Sequence, residues 1–130
     1  MAFPEPKHPR LTTEYIVILH DDIIDRFGGI KGVLNIGTID YLIYRLNKKS
    51  DVVKKAALAL ELITEKHAFL DGCKRTGHLV ADILLREEGY HIHGEEEKIF
   101  NALRKIANYE CTVEEIENWL RRHIRPLELG

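Results

Sequence analysis

The chain has little of what marks several function classes. Only two of its 130 residues are cysteine, Cys73 and Cys111. That pair builds neither a disulfide framework nor a zinc-finger spacing, which points to a reducing, cytoplasmic setting. No apolar run approaches the roughly 18 to 20 residues that a membrane span needs. The start Met1-Ala2-Phe3-Pro4-Glu5-Pro6 lacks a basic segment followed by an apolar one, so neither a membrane partner nor secretion is expected. A large excess of one charge is also missing. The net charge of -2 argues against nucleic acid as a partner held mainly through its phosphates, although local basic patches stay open. There is no internal repeat and no low-complexity tract.

What is there suits a folded domain. Apolar residues make up 45% and charged residues 31%, an ordinary balance for a soluble globular protein. The length matches one compact domain able to bury a core without disulfides, metals or a second domain. Three of the four prolines fall within the first nine residues, so residues 1–10 read as an extended arm. Residues 11–125 read as a single domain and residues 126–130 as a C-terminal tail.

Helical periodicity dominates the rest. Thr12 or Thr13 can cap a first helix with Ile16, Val17, Leu19, Ile23 and Ile24 inward, stopped at Gly28-Gly29. Between Gly29 and Gly37 the glycines predict a loop or a short hairpin. Thr38 offers a cap for a short helix through Ile39, Leu42, Ile43 and Leu46, with Asn47-Lys48-Lys49-Ser50 as a connection. From Asp51 to about Lys66, and again from about Cys73 to Glu88, apolar residues occupy nearly all faces. Two central, buried helices are therefore expected. Tyr90 to His93 reads as extended, Glu95 to Ala107 as amphipathic helix, and Thr112 with Glu115 as a capping box for the last helix. The fold class is all-α, a compact bundle of about six helices.

Where the two buried helices meet, the chain gathers a histidine, a carboxylate, a glycine, a lysine and an arginine, in the segment His67-Ala68-Phe69-Leu70-Asp71-Gly72-Cys73-Lys74-Arg75. Asp71-Gly72 permits a tight turn. The amides of Gly72, Cys73, Lys74 and Arg75 then open the next helix and form an anion site at the positive end of its dipole. Lys74 and Arg75 are disfavoured there unless an anion meets them, which suggests a phosphate ligand. Asp71 could hold a magnesium ion otherwise coordinated by water and phosphate oxygens, and His67 would face the same space as a base. A plainer reading fits the same residues: Asp71 as a helix cap, Gly72 as a turn, Lys74 and Arg75 as solvated charges, His67 as a polar helix end. Phe69 and Leu70 anchor the loop in either case.

This segment resembles the signature of the Fic/Doc family, in which histidine, phenylalanine, an acid, glycine, asparagine, glycine or lysine, and arginine recur at fixed spacing. His67, Phe69, Asp71, Gly72, Lys74 and Arg75 match it. Lys74 before Arg75, and Thr76 after it, look like the death-on-curing (Doc) branch. So do Leu11-Thr12-Thr13-Glu14, Leu19-His20-Asp21, Phe27-Gly28-Gly29, Gly89-Tyr90 and the closing Glu117, Trp119 and Leu120. The resemblance spans about residues 11 to 122.

It implies a toxin-type transferase that moves a phosphoryl or adenylyl group from ATP to a hydroxyl of a target protein. His67 would be the general base and Asp71 the magnesium ligand, while Phe69, Gly72, Cys73, Lys74 and Arg75 line the nucleotide and phosphate site. The Doc-like lysine leans towards transfer of the terminal phosphate. The self-inhibitory helix pattern of many Fic relatives, serine or threonine followed four residues later by glutamate, is absent, so restraint would come from a Phd-like antitoxin. The oligomeric state is not legible.

Cys73 departs from the family pattern, which has asparagine there. A thiol is a poor donor, and one lost donor at a charged transition state costs about 10²-fold or more. A catalytically weak or inactive binding protein of the same fold is thus the alternative. A thiol at a helix start beside two cations is also expected to have a lowered pKa. Elsewhere, His91 and His93 alternate as a strand pair would but lack a nearby third ligand. His20 reads as a hydrogen-bonded structural histidine, and Arg121, Arg122, His123 and Arg125 complement the end of the last helix.

Overall fold

The computed structural model describes residues 11–48 and 51–128. The expected arm over residues 1–10, and Lys49 and Ser50 of the expected connection, lie outside the described residues. Among the described residues, six α-helices, a π-helical segment and a two-stranded sheet make up the fold.

Helix α1 runs Thr13–Phe27, capped by the Thr12 side chain, which accepts from the Tyr15 amide, and closed by Gly28 at φ 85°. Its buried stripe is Ile16, His20, Ile23 and Ile24. Helix α2, Ile36–Leu46, starts earlier than the sequence suggested. Asn35 rather than Thr38 is the cap, and Thr38 supplies the amide that the Asn35 side chain accepts. Helix α3, Val52–Ala59, is capped by Asp51 and runs straight into a π-helical segment, Leu60–Glu65. Helix α4, Cys73–Arg86, buries Cys73, Thr76, Gly77, Val80, Ala81, Leu84 and Leu85, a stripe of helical period.

The π-helical segment and α4 pack back to back around Leu60, Ile63, Leu84 and Leu85, all at most 1% exposed. Burying each such side chain contributes about 1.5–3 kcal/mol relative to exposure. Gly77 permits this approach, because a Cβ there would collide with the Thr64 hydroxyl. Strand β1, Tyr90–Ile92, precedes helices α5, Glu96–Ala107, and α6, Val113–His123. The Thr112 and Glu115 capping box opens α6.

Strand β2, Ile124–Pro126, then returns antiparallel to β1, pairing Tyr90 with Pro126 and Ile92 with Ile124. The Leu127 amide donates to the Gly89 carbonyl at 2.8 Å. The stretch read as tail from residue 126 therefore begins inside a paired strand. No helix of the described residues is long and apolar enough to cross a membrane.

Candidate active site

The charged segment occupies the loop between the π-helical segment and α4. Inside the π-helical run and just beyond it, amides reach back five residues, from Lys66 to Glu61 at 3.1 Å and from Ala68 to Ile63 at 3.4 Å. His67, at the exit, holds φ 50°, a left-handed backbone that only a few per cent of non-glycine residues adopt. Such wide turns and positive φ angles concentrate at functional sites.

The stretch between Gly29 and Gly37 forms no hairpin. It forms the loop that the sequence offered as the other reading, and residues 32–35 lie along the motif loop. Val33 bridges Phe69 in antiparallel fashion, the Leu70 amide donates to the Gly32 carbonyl at 3.0 Å, and the Leu34 and Asn35 amides donate to Ala68. The physical reason is local. Asn35 folds back to cap α2, so the chain turns into helix before a return strand can form, and the motif loop supplies the partner edge.

Side chains hold three further carbonyls of the segment. His20 Nε2 donates to the Asp71 carbonyl at 2.6 Å, the Cys73 thiol donates to Phe69 at 3.2 Å, and the Thr64 hydroxyl donates to Cys73 at 3.3 Å. Phe69 is buried, its ring stacked on His20 at 3.8 Å. The Asp71 carboxylate accepts from two amides, Gly72 at 2.9 Å and Ile30 at 3.2 Å. Gly29 makes room for it, since a Cβ there would lie 2.6 Å from Asp71 Oδ2.

At the start of α4, Gly72 is left-handed (φ 74°) and provides no side-chain cap. The first-turn amides of Cys73, Lys74 and Arg75 therefore lack the capping partner that most helices supply. His67, Asp71 and Lys74 are exposed. Arg75 is pinned between two rings, 4.0 Å over Phe27 and 4.9 Å over Phe100. It lines a cleft of about 450 Å³ with Phe27, His78 and Phe100, whose walls include neither His67 nor Asp71. A larger hollow of about 560 Å³ between α5 and α6 holds none of the motif residues, so size does not mark the site.

Cys73 corrects one expectation. Its thiol is turned inward and 7% exposed, and burial pushes its pKa up, with the Phe69 hydrogen bond and the Lys74 charge offsetting this only in part. Position at a helix start does not outweigh desolvation. The side chain braces the loop, and only the Cys73 amide faces the helix opening.

His20, read as a hydrogen-bonded structural histidine, does hydrogen-bond, to the Asp71 carbonyl, while Thr64 and Ile30 are participants that the sequence did not disclose. The one signal for these two is the polar Thr64 after the apolar Leu62-Ile63. His91 and His93 meet edge to face at 5.7 Å, and among the described residues no group of three or more His, Cys, Asp or Glu is placed to hold a metal ion.

Comparison with known proteins bears on the same stretch. The protein kinase doc of Escherichia phage P1 is 27% identical over 118 residues, which cover 86% of this chain and 93% of that protein. The family model described as the Fic/DOC family matches residues 10–85, from the root of α1 through nearly all of α4. By that match the chain belongs to the Fic/DOC family.

Proposed function

We propose that the chain is a Doc-like, toxin-type transferase that moves the terminal phosphoryl group of ATP to a hydroxyl of a target protein. The observation that carries the reading is the uncapped start of α4 under Gly72, with Lys74 and Arg75 on its first turn and Asp71 one residue ahead. The amides and the two cations suit a phosphate chain and its developing charge. His67, exposed at the loop's exit, would take the proton of the attacking hydroxyl. The name of the phage P1 relative, a protein kinase, supports phosphoryl over adenylyl transfer.

Asp71 suits magnesium. Each carboxylate oxygen accepts one amide and keeps a further lone pair on an exposed side chain. One carboxylate with phosphate oxygens and water is a sufficient set for this ion, which would neutralise phosphate charge when bound. A Phd-like antitoxin and a cytoplasmic setting complete the proposal. The Cys73 thiol is turned into the loop and gives the site no side-chain donor, so a catalytically weak or inactive binding protein of the same fold is the second reading.

The test is labelling in a native lysate with purified wild type and His67→Ala. The γ-phosphate of ATP is expected to label a protein with wild type only, and chelation of magnesium should abolish the label. Transfer of α-label instead means adenylyl transfer. No label from either position, together with activity gained in Cys73→Asn, would favour the binding-protein alternative.

A further inference from the structure

His20 is fully buried, and its imidazole makes a single hydrogen bond among the described residues, to the Asp71 carbonyl. Nδ1 has no hydrogen-bond partner, and the Asp21 carboxylate is 3.6 Å away. Burying a ring with one nitrogen unsatisfied is costly, and stacking on Phe69 alone would be served better by an apolar ring. The 2.6 Å bond therefore needs its own explanation. A carbonyl can only accept, so Nε2 carries the proton.

The carbonyl it holds belongs to the Asp71-Gly72 peptide group. In a trans peptide the N–H points opposite to the C=O. On this group the carbonyl faces His20 and the N–H faces the Asp71 carboxylate, which accepts it at 2.9 Å. Glycine adopts φ of either sign at little cost, so an Asp-Gly peptide can turn over where most others cannot. A reversed peptide would leave Asp71 Oδ1 without its donor. It would also aim a carbonyl oxygen into the space where α4 presents amides.

We propose that His20 is a positioning residue that locks the Asp71-Gly72 peptide in the orientation the site uses. The lock stands on geometry alone, while its effect on catalysis rests on the transferase reading above. His20 itself touches no reacting atom.

Two variants separate the donor from the ring. His20→Phe keeps a stacked ring and removes the donor; His20→Gln keeps a donor and removes the ring. Amide hydrogen exchange at Gly72, read by NMR on protein without nucleotide or metal, should quicken about tenfold in His20→Phe and stay near wild type in His20→Gln. The phosphoryl-transfer rate should fall by about tenfold or more in His20→Phe, mainly in kcat, with the glutamine variant largely restoring it. Unchanged Gly72 exchange in a folded His20→Phe overturns the proposal, as does equal loss in both variants. Should His20→Phe not fold, the nitrogen shifts of His20 in wild type decide: a proton on Nδ1 with a bare Nε2 overturns it, and a hydrogen-bonded Nε2–H supports it. A wild type that transfers nothing but keeps the lock would sink the transferase reading and spare this one.

Discussion

At the start of α6 the Thr112 hydroxyl accepts from the Glu115 amide, and the Glu115 carboxylate accepts in return from the Thr112 amide. Glu114 and Glu115 put negative charge on that first turn. At the start of α4 the cap is Gly72, with no side chain, and the first turn carries Lys74 and Arg75 and no acidic residue. One helix meets the Glu115 amide at its opening from within. The other leaves its opening amides uncapped and places cations where the dipole disfavours them. An arrangement that lowers stability at one helix start, beside a helix that shows how the same chain caps one, is what an anion-binding role predicts.

The contrast can be broken most directly through Arg75. In Arg75→Ala the transfer rate should fall by about 10²–10³-fold, measured as single-turnover label from γ-phosphate, whereas Arg121→Ala on α6 should leave it unchanged. Equal rates in the two variants would end the comparison. Thr112→Ala should lower stability by about 1 kcal/mol in urea unfolding with transfer intact. A loss of transfer there would mean that α6 shares in the chemistry.

The smallest effect concerns pH. Burial holds the pKa of His78, further along α4, below its ordinary value, with Asp82 opposing. As pH falls, the unfolded chain takes this proton first. Stability contributed by neutral His78 is therefore complete above about pH 6.5 and is lost as pH falls towards the folded value. His78→Asn should flatten that part of the stability profile in urea titrations at pH 7.5 and 5. An identical slope in the variant would show that burial there is incomplete.

The caps at Thr12 and Thr112, the stop at Gly28 and the turn at Gly72 were legible because each acts on neighbours within four residues. The motif was legible for the same reason. What lay hidden was long-range or cooperative. The partner of His20 is 51 residues away, and main-chain pairing of Val33 with Phe69 leaves no mark on side-chain type. The π-helical turn arises within a run whose composition suits an α-helix equally well. At Cys73 the local rule pointed the wrong way, because the packing that buries the thiol is set by the whole fold.

The brace on Asp71 also has a consequence in time. The π-helical segment and α4 are close along the chain, so the loop between them closes at little entropic cost and their pairing belongs to the fast, local part of folding. His20 and Ile30 come from α1 and the turn behind it, far upstream. The motif loop is thus outlined early, while its carboxylate is oriented only when α1 docks. On the way out the order reverses. On the function proposed above, partial detachment of α1 should silence the site while the central helix pair persists.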